Sequence, residues 1–116
     1  MGIKIIDGYS NTRKNAIKTP RYINTLYTLE DHEIEQGEGF FKINLKAKAE
    51  TGELPNKLCL FINTDAQITN ISSKLGLIQV VKGGKGFCTS KPPREVNPVI
   101  TLNSKPTIFE LNWVSE

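Results

Sequence analysis

The chain has 116 residues, a length that fits one domain and leaves no room for a second core of ordinary size. Hydrophobic residues make up 38% of it and charged residues 23%, which is typical of a globular protein and excludes a disordered chain. The net charge of +3 is too small to identify a polyanion-binding protein by itself. We therefore expect residues 1–116 to form a single domain.

The first 38 residues have the least regular pattern. An edge strand is expected at residues 3–6, followed by a polar loop over residues 7–19. Residues 21–30 fit either one face of a helix or a strand, and the β character of the rest of the chain favours the strand.

Residues 30–38 are expected to form a solvated acidic loop. The loop has no basic residue and holds the only histidine of the chain, His32. Clustered carboxylates suit a hard cation, but their spacing does not follow that of an EF-hand loop. We therefore predict neither a metal site nor a cofactor. The five carboxylates are Glu30, Asp31, Glu33, Glu35 and Glu38.

Period-two alternation identifies the most regular strand, at residues 41–49. Every odd position in it is apolar and every even position is polar, so one face should lie on a core and the other in water. Residues 50–56 form a loop by their Gly, Pro and Asn content. Residues 58–62 are apolar on both faces, which is typical of a central strand.

The second half of the chain continues as short strands separated by turns. Residues 82–86 predict a hairpin turn, because glycine reaches positive φ without steric cost. Pro92 and Pro93 make residues 90–97 a surface connection, since proline cannot donate to a sheet. The remaining strands are expected at residues 67–71, 75–81, 87–89, 99–102 and 107–114, the last of which turns Phe109, Leu111 and Trp113 toward the core.

This pattern predicts an all-β fold: a small antiparallel β-sandwich of about seven or eight short strands with little helix.

No run of about 18 apolar residues is present, so no membrane-spanning segment is expected. The N-terminus lacks the features of a secretory signal peptide. The protein is then either cytosolic or a mature form whose export signal has been removed.

Cys59 and Cys88, the only two cysteines, each lie in an apolar run and lack metal-ligand spacing. One interpretation is two buried thiols that pack as small hydrophobic side chains. A second is a disulfide that pins two strands and marks an oxidising compartment. A nucleophilic cysteine is the third.

The charges are segregated along the chain. Residues 66–94 contain five basic residues and no acid, whereas residues 30–38 are acidic. Lys42, Lys46 and Lys48 share the polar face of their strand, a position where lysine also blocks edge-to-edge pairing. The basic segment is either a solvated surface, a protein-docking surface or a polyanion site. The candidate binding residues are Lys82, Lys85, Lys91 and Arg94.

These features favour a non-catalytic protein-interaction module whose partner is another protein subunit. The strand-borne cysteines extend this to an extracytoplasmic subunit of a secretion or surface assembly, with an extracytoplasmic location favoured over a cytoplasmic one. One alternative is a polyanion-binding domain for nucleic acid or acidic glycan. The other is a small enzyme that uses His32 or a cysteine, although no catalytic site is predicted. Whether the chain forms a homo-oligomer is left open.

Overall fold

The computed structural model describes residues 5–9, 27–74 and 78–115. These residues form ten strands in two packed sheets, which confirms the all-β sandwich; about seven or eight strands were expected. The described part of the chain contains no helix with the length and apolar character of a membrane span. The strands are β1 (Ile5–Tyr9), β2 (Tyr27–Gly37), β3 (Phe40–Ala49), β4 (Lys57–Thr64), β5 (Ile68–Ser73), β6 (Gln79–Val80), β7 (Gly86–Ser90), β8 (Glu95–Val96), β9 (Pro98–Leu102) and β10 (Phe109–Ser115).

The first sheet has the strand order β1-β10-β4-β7-β6, and the second has the order β2-β3-β9-β5, with β8 paired to the end of β3. All of the pairs are antiparallel except β1 with β10, which is parallel from Ile5 opposite Phe109 to Tyr9 opposite Trp113. The sandwich is therefore antiparallel except at this edge, where β1 adds as a parallel strand.

The core lies between the two sheets and is built from the predicted inward rows. The odd-numbered residues of β3 from Phe41 to Ala49 are buried, as the alternation predicted. The aromatic row of β10 is also buried, and Trp113 stacks on Tyr27 of the opposite sheet with ring centroids 6.4 Å apart. β4 is a central strand as expected, because Leu58, Cys59 and Leu60 are all fully buried and so cover both of its faces.

The glycine-rich turn forms the predicted hairpin between β6 and β7. The Val81 N–H donates to the Gly86 carbonyl and the Gly84 N–H donates to the Val81 carbonyl, both at 2.9 Å. Gly83 and Gly84 have φ angles of 95° and 76°, which a residue with a side chain rarely adopts. The strand before the turn is short, and residues 75–77 of its predicted range lie outside the described residues.

Three expected loops are partly strand. Of the loop at residues 7–19, the part up to Tyr9 belongs to β1, and the rest lies outside the described residues, as do residues 3–4 and 21–26. The prediction of an acidic loop at residues 30–38 is wrong, because β2 continues through this segment to Gly37. The connection at residues 90–97 contains β8 and a buried Pro92. β1 and β8 each pair with a strand that is distant in sequence, whereas β2 forms a local hairpin with β3, in which Gly37 lies opposite Phe40.

Asp65 ties the turn after β4 to the start of β10. Its Oδ1 accepts hydrogen bonds from the backbone N–H groups of Thr107 and Ile108, both at 3.0 Å, and its Oδ2 accepts one from the Thr107 hydroxyl at 2.6 Å. The Thr107 hydroxyl is the main cause that lowers the pKa of this carboxyl from 3.8 to about 2.

This carboxylate should make the fold acid-sensitive over a defined pH range. Because its folded pKa is depressed, its contribution to stability is complete above the ordinary value of 3.8 and is lost as the pH falls toward 2. We expect Asp65→Asn to be less stable than the wild type at pH 6 and to lose less stability on acidification. Urea unfolding of both proteins at pH 2, 3, 4 and 6 measures these differences. An equal loss of unfolding free energy in the two proteins on acidification would contradict the role assigned to Asp65.

Candidate protein-interaction site

β2 runs along one edge of the second sheet. It pairs on one side with β3, from Tyr27 opposite Ala49 to Gly37 opposite Phe40, and no other described strand pairs with its other side. An edge strand directs alternate backbone N–H and C=O groups away from its sheet. This side of β2 therefore offers hydrogen-bonding groups to a further strand. We call residues 31–37 of β2 the acidic edge.

A β-bulge at Glu30 sets which side chains of the acidic edge face outward. Leu29 lies opposite Ala47 and Asp31 lies opposite Lys46, so Glu30 is the extra residue. One inserted residue reverses the alternation of a strand. Before the bulge, odd-numbered residues such as Tyr27 face the core, whereas after it the odd-numbered residues share the outer face with the lysines of β3.

The outer row of the acidic edge lies opposite a partly basic row of β3. Asp31, Glu33 and Glu35 are paired in register with Lys46, Asn44 and Lys42, respectively. The Lys42 ammonium is 3.8 Å from Glu35, and the Lys46 ammonium is 3.9 Å from Glu95 of β8. The side chains of these ion pairs are well exposed, so each pair stabilises the fold by at most about 1 kcal/mol. The pairs nonetheless leave Lys42 and Lys46 with acidic neighbours.

Residues 31–40 are all exposed, and those of β2 are exposed on both faces of the strand. Ile34 is 40% exposed although it lies opposite Ile43, which is fully buried. Phe40, where β3 begins, is 37% exposed. The core therefore ends at β3, and the acidic edge lies outside the core, in contact with solvent.

An open depression of about 310 Å³ lies beside the acidic edge on the second sheet. Carboxylates and ammonium groups both line it, so it carries no single sign of charge. The lining side chains include Asp31, Glu33, Asn44, Lys46, Lys74 and Asn97.

The structure does not bring the four basic candidates into one patch. Lys85 precedes β7, where its carbonyl accepts a hydrogen bond from Ile62, and Lys91 follows β7, where it donates to Asn56. These two positions are separated by the length of β7, roughly 17 Å at about 3.4 Å per residue. Lys82 and Lys85 are exposed on the hairpin turn, and Lys91 lies at the other end of the strand.

Arg94 is exposed, but its side chain is hydrogen-bonded to backbone groups of the same domain. Its guanidinium donates to the carbonyls of Ala49 at 2.9 Å and Gly52 at 3.1 Å, so it joins the connection before β8 to the end of β3. Beside it, the Tyr27 hydroxyl donates to the Pro93 carbonyl at 2.5 Å. Burial raises the pKa of this tyrosine, and the charge of Arg94 partly opposes that effect. Arg94 thus has a structural role that the sequence did not reveal.

Cys59 and Cys88 form a disulfide that joins neighbouring strands β4 and β7, so the interpretation as two free thiols is wrong. The flanking Leu58 and Leu60 belong to the core cluster, which places the disulfide on the opposite, outer face of the first sheet. Cys59 is fully buried, whereas Cys88 is partly exposed beside an open depression of about 190 Å³. Neither sulfur is a thiolate nucleophile in this state.

His32 is exposed on the acidic edge, where its backbone N–H donates to Asp31 at 2.8 Å. It lies in the second sheet and the disulfide lies in the first, so the two are not brought together. Within the described ranges, no three His, Cys, Asp or Glu side chains converge as metal ligands would.

The acidic edge was missed as a strand although its sequence carries a signal. Carboxylates alternate at positions 31, 33 and 35 with His32, Ile34 and Gln36 between them. This is the period-two pattern that identified β3, but with few apolar residues to mark it. The segment is unusual for a strand because it lies on no core.

The fold and the site together define a two-sheet β-sandwich with an exposed, acidic edge strand and a disulfide across its other sheet. No known protein family matches the sequence, and neither a curated protein nor a solved structure is significantly similar to it.

Proposed function

We propose that this chain is a non-catalytic module that binds another protein subunit through the acidic edge of β2. The observation that carries the proposal is the exposure of residues 31–37 along a strand that, in the described part of the chain, pairs on one side only. Proteins commonly recognise extended segments by adding a strand to such an edge, because the backbone supplies the hydrogen bonds.

The disulfide supports an extracytoplasmic location for this module. Disulfides form and persist in oxidising compartments and are rare in the cytosol. A subunit of a secretion or surface assembly works in such a compartment and must bind its neighbours through its surface. We therefore propose that the module belongs to an assembly of this kind.

Polyanion binding has less support than protein binding. Two lysines of the β3 face have carboxylates within 4 Å, and Arg94 is engaged with backbone carbonyls. Lys82 and Lys85 on the hairpin turn stay exposed and form the second proposed contact of the module. Because they lie on the other sheet, they serve a separate contact from that of the acidic edge.

A site-specific crosslinker tests the proposal in the cells that produce the protein. A photo-reactive residue at Glu33 should crosslink to one defined protein, whereas the same residue at Glu53, an exposed acid in the loop after β3, should not. The crosslink from the photo-reactive residue at Glu33 should be lost in Asp31→Lys/Glu35→Lys, which changes the carboxylates on either side of it. The matched variant Glu50→Lys/Glu53→Lys makes the same change of net charge and should keep the crosslink.

Both double variants change exposed side chains, so their free energies of unfolding should stay within about 1 kcal/mol of the wild type. A crosslink that survives at Glu33 in both variants would remove the acidic edge as the binding site. Equal crosslinking from Glu33 and Glu53 would also contradict it. Lys82→Glu/Lys85→Glu tests the hairpin turn in the same way.

A further inference from the structure

We infer that the segment which adds to the acidic edge is an extended peptide of a partner protein in which basic and apolar residues alternate. This inference rests on the proposed function and specifies the chemistry of the partner. It follows from three features of β2: the row on its outer face, the row on its inner face, and the strand that already pairs with it.

The outer row of the acidic edge, formed by Asp31, Glu33 and Glu35, is complementary in charge to basic residues. Side chains in a sheet stand roughly perpendicular to it, so a strand on the open side of β2 meets the same carboxylates as β3 does. Glu35 has one ion pair, with Lys42, whereas Asp31 and Glu33 form none with any described residue. Within the described residues, Asp31 and Glu33 therefore have no ion-pair partner, although Lys46 lies opposite Asp31, and a cation on an incoming strand would supply one.

The inner row calls for an apolar residue at its centre. Ile34 lies there, 40% exposed, between His32 and Gln36. An apolar side chain opposite it would remove surface of both residues from water. Alternation along a strand then places the apolar residue between basic ones, since neighbours in sequence face opposite sides.

β3 shows this pairing on the other side of the acidic edge. It places Lys42 and Lys46 opposite Glu35 and Asp31, and Ile43 between them opposite Ile34. β2 therefore already accepts one antiparallel strand of alternating basic and apolar residues.

A second copy of β2 does not fit the open side. An antiparallel pair of acidic edges would place carboxylates opposite or diagonal to carboxylates, which destabilises a sheet. Nucleic acid and acidic glycan are repelled by the same charges. The occupant that complements the acidic edge in charge and spacing is a basic strand of about seven residues, which matches residues 31–37 at roughly 24 Å.

The probe is a capped seven-residue peptide with lysine at every odd position, valine at the centre and threonine at the other two positions. Paired antiparallel with valine opposite Ile34, three of its four lysines lie opposite Glu35, Glu33 and Asp31, and the first lies opposite Gly37. Three control peptides are used: one with glutamate in place of lysine, one of the same composition with the lysines in a block, and one N-methylated at alternate residues. N-methylation removes the backbone donors and keeps the charge.

We expect the alternating peptide to bind the intact oxidised protein at least tenfold more tightly than any control, since each control loses several cross-strand pairs or the backbone hydrogen bonds. Glu33→Lys/Glu35→Lys should weaken the binding by at least tenfold, and Glu50→Lys/Glu53→Lys should leave it unchanged. Bound peptide should slow hydrogen exchange of amides within residues 31–37, which a purely side-chain contact would not do.

Equal binding of the alternating and block peptides would show attraction by charge alone and overturn the inference. No binding of the alternating peptide, together with a specific crosslink at Glu33 in cells, would overturn the inference while the proposed function stands. Binding of the peptide with no protein crosslinked at Glu33 would instead overturn the proposed function.

Discussion

Replacing Trp113 by alanine is expected to lower the free energy of unfolding by about 3–5 kcal/mol, the cost typical of removing a large buried aromatic side chain. Trp113 is 2% exposed on β10 and stacks across the core on Tyr27, with 24° between the ring planes. It therefore joins the two sheets. Urea unfolding followed by circular dichroism measures the loss, since the chain has no other tryptophan to report by fluorescence.

Two variants control for this prediction. Trp113→Phe keeps a ring in the core and should lose distinctly less stability than Trp113→Ala; its ring also lacks the indole N–H, which has no acceptor among the described residues. Val80→Ala removes methyl groups from a residue that is 48% exposed and should change stability by no more than about 0.5 kcal/mol. A Trp113→Ala loss as small as that of Val80→Ala would contradict the assigned core.

Removing the disulfide should have the second large effect. Cys59 and Cys88 are separated by 29 residues, and restricting a chain loop of that length stabilises a fold by about 3.5 kcal/mol in the chain-entropy model. The variant Cys59→Ala/Cys88→Ala should therefore unfold at a clearly lower urea concentration than the oxidised wild type. Alanine suits the fully buried position of Cys59 better than a serine hydroxyl would.

Reduction provides the internal control. Reduced wild type should approach the double variant in stability, and the double variant itself should not respond to a reductant. Mass measurement after alkylation in denaturant should show no modified cysteine unless the protein is first reduced. Two alkylated cysteines in natively extracted, unreduced protein would remove both the predicted stabilisation and the support for an extracytoplasmic location.

The two proposals for β2 connect stability to function. The acidic edge lies beyond the core, so its side chains are free to change without loss of the fold. Its carboxylates also discourage pairing between identical copies, which is a common protection of edge strands. The same charges would admit a basic strand, so one row of side chains would both prevent self-association and select a partner.

The sequence by itself determined the strands that lie on the core. β3 and β10 were predicted because their apolar residues recur with period two, and a strand half buried in a sandwich must have that pattern. The hairpin turn before β7 was also predictable, because the turn requires positive φ angles at Gly83 and Gly84, which glycine adopts readily. Each of these features depends on residues that are close in sequence.

Only the tertiary structure decided how the strands meet. The parallel pairing of β1 with β10, the pairing of β8 with β3 and the approach of Cys59 to Cys88 all join segments far apart in the chain. The separation of Lys85 from Lys91 follows from β7 in the same way. The orientation of the acidic edge depends on the bulge at Glu30, which reverses the alternation of β2 against β3. A period-two pattern shows which residues share a face, but the pairing register decides whether that face meets the core, solvent or another strand.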